Sequence, residues 1–421
     1  MEAFKKIITK ALENHILDLD HRDYEDIEKI IDRKKLDKLS FYLESEQDEK
    51  FDELLKELLL DESISTALSI LIEKEKTRNE ISSKNFSVKS EDGQTCTVFY
   101  GTNREPNDRT KLSKGYGNER ANKLHLGSCK VNVPYDREAG EIKGSTWQKI
   151  LHFDASYGDI ELKTIQDYTA DDFWKTISTQ LNAKEDEEKE ALIFIHGFNT
   201  SFEDAAIRAT QISVDLKHAG VTAFFSWASK GKALAYLSDE ATVQYSEKYL
   251  TEFLTDFAQK SNAKRIHIIA HSMGNRALLE AVNRINRENP EIEFGQIILA
   301  APDVDVDVFE ELSLAYTELS EQTTLYISKK DKAVGMSKWL HSHSRAGFTP
   351  PVCVVDKINT IEVEENVNIL ELGHGYFAGQ TSLLEDMKKL IHFNLDANNR
   401  METLRLQKAT TEHHYWKLKG D

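Results

Sequence analysis

The 421-residue sequence predicts an α/β protein: a mostly parallel sheet covered by helices on both faces, preceded by a small all-helical domain. Three observations carry that prediction. After Ala170 short apolar runs recur, ALIFIHG, VTAFFSW, RIHIIAHS, FGQIILAAP, TTLYISKKD and NTIEVE, rich in residues that suit strands buried on both faces. Between them lie amphipathic stretches of helical length, the alternation that βαβ units require. Before about residue 75, apolar residues recur only at helical spacing: Phe4, Ile7, Ile8 and Leu12, then Phe51, Leu54, Leu55 and Leu58.

In chain order, the polar stretch from Glu73 to Asn85 offers little to bury and reads as a linker. The boundaries are therefore a helical module over 1–75, a linker over 76–92, an α/β domain over 93–395, and a charged tail or helix over 396–421. Thr97–Thr102 and Gly127–Pro134 are strand candidates, and Gly115-Tyr116-Gly117 between them reads as a turn. DDFWKTISTQL is a helix. Ser201 with Asp204 forms a capping-box pattern, Gly220 sits where the next helix should stop, Ser238 can cap another, and Ser382 with Glu385 repeats the capping box before the last. One helix fits between Asp303 and the strand at Thr324.

Composition excludes several classes. A net charge of −18, from 54 Lys+Arg against 72 Asp+Glu, repels phosphate backbones, so nucleic acid is not expected as a partner. Cys96, Cys129 and Cys353 are far apart and include no CxxC pair, which supports neither a disulfide framework nor a thiolate metal site. No metal or cofactor is expected. With no signal-peptide core and no membrane-length apolar run, the expected location is cytoplasmic.

The most informative segment is RIHIIAHSMGNRALLEAVNRI, a strand running through Ala270-His271-Ser272-Met273-Gly274 into a helix with Leu278, Val282 and Ile285 on one face. A serine at such a turn is pushed above the sheet in a strained conformation, so the residues two before and two after it must be small. Ala270 and Gly274 meet that condition. The bland alternative is that Ser272 caps the helix.

A serine hydroxyl needs a histidine to take its proton and a carboxylate to hold that histidine. Asp331 ends the second strand after Ser272 and is preferred as the acid; Asp303, ending the first, is the alternative. Among the later histidines, His374 in Leu372-Gly373-His374-Gly375-Tyr376 lies between the last strand and the last helix, where the base is expected. His341 and His343 precede that strand, His392 sits in a helix, and His413 and His414 lie in the tail. An oxyanion hole needs two backbone amides. Met273 should give one and Phe198 the other, with Asn199 less favoured, and His196 is read as structural. Lys330 and Trp339 are substrate-binding candidates. Trp339 belongs to a stretch after Asp331 that reads as a partial lid or a packed loop; Lys330 stands with Lys230, Lys232, Lys329 and Lys332 near the expected mouth, as anion-attracting or merely solvated lysines.

With these residues in view, the chain resembles the domain-of-unknown-function 900 family of bacterial α/β hydrolases over about residues 97–393. The likeness rests on Val98 to Arg104, the Leu126-Gly127 strand with Val131, Val133 and Pro134, the Phe194 to Asn199 turn, AHSMGNR, LAAPDVD, and the Ser328 to Asp331 strand end. It implies an α/β-hydrolase fold and supports Ser272, Asp331 and His374 as the triad, but supplies no substrate. The expected activity is cleavage of a carboxylic ester, in a narrower version a lipid or phospholipid acyl ester. A serine peptidase or amidase would use the same triad. A third reading is an interaction protein whose residues 1–75 recruit a partner or a second copy.

Overall fold

The computed structural model describes residues 93–134, 160–230, 236–328, 344–363, 377–408 and 414–418. The helical module (1–75) and linker (76–92) lie outside the described residues, as do Asp331, His374, Lys330 and Trp339.

The strands are β1 (Gly93–Pro106), β2 (Tyr116–Pro134), β3 (Glu161–Tyr168), β4 (Glu190–Ile195), β5 (Val221–Ser226), β6 (Arg265–His271), β7 (Phe294–Ala300), β8 (Ser320–Ser328), β9 (Ile358–Val363), β10 (Leu404–Lys408) and β11 (His414–Leu418). The helices are α1 (Ala170–Asn182), α2 (Phe202–Leu216), α3 (Tyr236–Lys260), α4 (Gly274–Glu288), α5 (Val306–Leu312), α6 (Leu314–Leu319) and α7 (Phe377–Phe393). Among the described residues the strands form one sheet in the order β10-β11-β9-β8-β7-β6-β4-β5-β1-β2-β3. The six apolar runs read from the sequence are β4 to β9, and every neighbouring pair among them is parallel.

From β4 the chain moves through α2 to β5 on one side, then returns through α3 to β6 on the other. The carboxyl ends of β4 and β6 thus flank the point where the connections diverge, and open α/β sheets bind ligands in the crevice there. The turn after β4 and the serine turn after β6 are the two loops that meet at this point.

An antiparallel block extends the sheet on the β5 side. β1 lies parallel to β5, β2 folds back on β1, and β3 adds the outer edge. The two strand candidates before residue 135 belong to β1 and β2, both longer than their apolar cores; β3 carries too little apolar periodicity to be seen. At the other edge, the residues expected to be a charged tail or helix form the β10–β11 hairpin, and β11 pairs in parallel with β9. The reason lies in Leu404, Trp416 and Leu418, which are buried and alternate with polar neighbours at strand spacing.

Several helix ends differ from expectation. Ser201 and Asp204 form both bonds of the capping box. α2 stops at Lys217, which takes φ 54°, rather than at Gly220. Gly220 serves close approach instead: a Cβ there would lie 2.0 Å from the Glu190 carbonyl oxygen. Ser238 and Ser382 fall inside α3 and α7 and cap neither. Two short helices stand where one was expected between Asp303 and Thr324; at the break, Asn283 of α4 donates to the Leu312 carbonyl at 3.0 Å.

Helix α3 is fastened by an aromatic cluster. Phe253 is fully buried between Phe225, Phe257, Phe173 and Trp174, with ring centroids 6.0, 5.5, 6.5 and 6.4 Å away. Gly101 of β1 leaves room for that ring, since a Cβ would come within 2.5 Å of it. We predict that Phe253→Ala costs about 3–5 kcal/mol in urea unfolding, the usual range for deleting a buried phenylalanine. A loss below about 1 kcal/mol would show that α3 is held by other contacts.

Candidate active site

Ser272 sits between β6 and α4 with φ 47°, a left-handed conformation that a non-glycine residue adopts at a cost of about 1–3 kcal/mol. Backbone bonds on both sides impose it. Its amide donates to the Ala300 carbonyl at 2.9 Å, and its own carbonyl accepts from the Asp303 amide at 3.2 Å and from the Asn275 amide and side chain, both at 3.1 Å. Asn275 Nδ2 also reaches the Ala270 carbonyl at 3.2 Å, tying the last residues of β6 to the first turn of α4.

The helix-capping alternative fails on geometry. The N-cap of α4 is Met273, with no side-chain cap bond, and Ser272 Oγ is buried without a hydrogen-bond partner among the described residues. Small residues flank it as expected. Ala270 is fully buried, and a Cβ on Gly274 would lie 2.4 Å from the His196 carbonyl oxygen. Gly197 is equally confined from the opposite side: a Cβ there would sit 3.0 Å from Ser272 Cβ and 2.6 Å from His271 Nδ1. Phe198, the expected oxyanion donor beside Met273, follows in this same turn and is buried. Asn199 next to it takes φ 55°.

Burial leaves the described histidines near this turn neutral. It pushes His271 down to about 3, with Arg208 adding to the effect, and holds His196 well below the ordinary imidazole range, with Arg104 adding to it. His392 is remote from the turn and bonds the Leu216 carbonyl at 2.7 Å at the far end of α2. No group of three or more His, Cys, Asp or Glu among the described residues could hold a metal ion. The three cysteines are unpaired. Lys230, read as a lysine of the mouth, is engaged by Glu119 at 2.7 Å.

Asp303, the alternative acid, is fully buried and heavily engaged. It accepts a short bond from Tyr236 and faces Arg276 at 3.3 Å and Arg345 at 3.5 Å. Burial alone would weaken the Arg276 charge, but Asp303, Tyr236 and Glu240 raise its pKa above the ordinary value. Arg276 Nε also donates to the Asp303 carbonyl at 2.6 Å. No motif in the sequence assigns a role to Arg276, Arg345, Tyr236, Asn275 or Arg104. Arg276, Arg345, Tyr236 and Arg104 find their partners on other segments, while Asn275 bonds the carbonyls of its own turn.

Asp303 therefore fastens the serine turn through Arg276, the start of α3 through Tyr236, and the segment at 344–348 through Arg345. That segment also bonds the end of β7 from Ala346 to Val304 and from Gly347 to Pro302, each at 2.9 Å. We predict that Asp303→Asn loses about 3 kcal/mol in urea unfolding, because the buried Arg345 would keep only Asp305 at 4.0 Å, and Arg276 only Glu240, as countercharge. Asp305→Asn, at a half-exposed N-cap, should lose about 1 kcal/mol or less. Equal effects would show that the cluster is not the anchor described.

The family model for alpha/beta hydrolases of unknown function, DUF900, matches residues 171–392, more than half of the chain. No curated protein matches. Solved structures that resemble it distantly include a protein of Lactobacillus plantarum assigned as a cell surface hydrolase, with 11% identity over 51% of this chain and 95% of that one at a TM-score of 0.33. Another is a lipase-esterase related protein of Clostridium acetobutylicum, with 12% identity over 49% of this chain and 96% of that one at a TM-score of 0.29. Those likenesses are too distant to transfer a substrate, whereas the family match covers β4 to α7, including both loops of the crevice, and by it the chain belongs to the DUF900 family of alpha/beta hydrolases.

Proposed function

We propose that this hydrolase is a serine enzyme that cleaves a carboxylic ester through an acyl-enzyme, with Ser272 as nucleophile, His374 as base and Asp331 as the acid that orients the base. The single observation that carries the reading is the Ser272 turn: a strained, buried serine at the switch point of the sheet, whose hydroxyl caps nothing and whose neighbours are pared to glycine. In the first half-reaction Ser272 Oγ adds to the ester carbonyl while His374 takes its proton. The tetrahedral oxyanion would be held by the Met273 and Phe198 amides. Collapse expels the alcohol, which receives the proton from His374, and water then repeats the sequence to release the acid.

Support for the partners is topological. The chain leaves the carboxyl edge of the sheet at Ser328 and again at Val363; Asp331 comes three residues after the first exit, and His374 three residues before α7. Asp303 is committed to two arginines and a tyrosine, which favours Asp331 as the acid. Lys330 and Trp339 stay as substrate-binding proposals, with a lipid or phospholipid acyl ester as the narrower substrate. Among the described residues no helix is long and apolar enough to cross a membrane. A cytoplasmic site of action rests on composition.

Ser272→Ala should abolish fluorophosphonate labelling and reduce ester turnover by several orders of magnitude with an unchanged thermal melt. Retention of more than about a tenth of the rate, worth only about 1.4 kcal/mol of barrier, would exclude Ser272 as nucleophile. Per folded molecule, Asp331→Asn should slow turnover far more than Asp303→Asn; the reverse ranking would move the acid to Asp303. For residues 1–75 we propose self-association or partner recruitment. A protein truncated to begin near Phe86 should keep hydrolysing a small soluble ester and lose self-association in light scattering, whereas an insoluble or inactive product would place the module within the catalytic core.

A further inference from the structure

We propose that His196 and Arg104 are a positioning couple that fixes the peptide unit between Gly197 and Phe198, aiming its amide at the oxyanion. The inference rests on the serine-hydrolase reading above and adds residues to which that reading gives no part.

Arg104 comes from β1, outside the segment the family model matches, and is 1% exposed. Its guanidinium donates to Ser226 Oγ at 2.8 Å, to the carbonyls of Gly117 and Ser229 at 3.1 Å each, and to the Thr200 carbonyl at 2.6 Å. Nη2 also lies 3.5 Å from His196 Nε2. A guanidinium has no acceptor, so His196 Nε2 must face it as the acceptor and the ring proton resides on Nδ1. Ser226 agrees: its oxygen accepts from Arg104 Nε, leaving its proton for His196 Nε2 at 3.1 Å. The Nδ1 proton is then donated to the Gly197 carbonyl at 2.7 Å.

That carbonyl belongs to the same peptide unit as the Phe198 amide. In a trans planar unit the C=O and N–H point in opposite directions, so holding the oxygen fixes where the hydrogen points. Accepting a bond at the oxygen also polarises the N–H as a donor. The turn cannot drift, because Trp227 stacks on His196 with centroids 5.1 Å apart and donates to its carbonyl at 2.9 Å. On the far side, the Thr200 amide bonds Ser229 Oγ at 3.2 Å, and Ser229 Oγ bonds Asp239 at 2.7 Å. Burial lowers Arg104 to about 9, which leaves it charged at neutral pH beside a neutral His196.

The test combines a spectroscopic and a kinetic reading on the full chain. Long-range 1H–15N spectra of histidine-labelled wild-type protein should show His196 protonated on Nδ1 and not titrating between pH 5 and 8. The Nε2–H tautomer, or titration near 6.5, overturns the proposal. With p-nitrophenyl acetate, His196→Ala should lower kcat about 10–100-fold, somewhat less than loss of an oxyanion donor itself, with KM within about threefold. The acidic limb of its kcat/KM profile should stay in place. His196→Asn, whose side-chain amide can donate from the Nδ1 position, should recover most of kcat. An unchanged kcat in the Ala variant, or no rescue by Asn in a folded protein, reduces the couple to a structural staple and sinks the idea. Loss of the acidic limb would make His196 the base and also overturn it. Wild-type protein that reacts with neither a fluorophosphonate nor an ester overturns the hydrolase reading itself, and the role drawn here with it, even where the spectra show the Nδ1 tautomer.

Discussion

The turn after β4 and the turn after β6 are in direct contact, Gly274 against the backbone of the first turn and Gly197 against the Ser272 and His271 side chains of the second. A Cβ at Gly274 would meet the His196 carbonyl oxygen at 2.4 Å, and one at Gly197 would meet Ser272 Cβ at 3.0 Å. This contact requires a glycine in each turn, and it sits where the connections from β4 and β6 leave in opposite directions and open a crevice. The strain at Ser272, the burial of its hydroxyl and the candidate amides at Phe198 and Met273 all follow from that approach.

Strained backbone persists where its surroundings over-determine it. Here two buried polar clusters do so from opposite flanks. Asp303 holds the α4 side through Arg276 and reaches Arg345 and Tyr236. On the β5 side, Arg104 gathers carbonyls from Gly117, Thr200 and Ser229 around one guanidinium. A fully buried cation is costly unless its donors are used, and a carbonyl-lined cradle uses the planar fork in a way an ammonium could not.

The β1–β2 hairpin is therefore more than an edge extension. It covers the outer side of β5 and delivers Arg104 to the crevice, while Gly101, three residues earlier on the same strand, accepts the ring of Phe253 from α3. One strand thus serves both the hydrophobic layer beneath the sheet and the polar anchor of the site, because successive side chains of a strand point to opposite faces.

The sequence by itself determined the parallel core, because strands buried on both faces are rich in apolar residues and each of β4 to β9 carries a short apolar run between helical stretches. It also determined the Ser272 turn, since few residues fit two positions either side of a left-handed serine. Local propensity did not reveal β3 or the β10–β11 hairpin, whose pattern is half polar and stabilised only by neighbours brought from elsewhere in the chain. Nor did it reveal that Gly220 makes room for Glu190 while Lys217 ends α2, since a left-handed lysine has no signature in composition. What only the tertiary structure decided was the partner of each buried charge. Arg104 with Thr200, Arg276 with Asp303 and His196 with Ser226 join segments that no spacing links, because an ion or a ring finds its countergroup only after the sheet has set which loops share an edge.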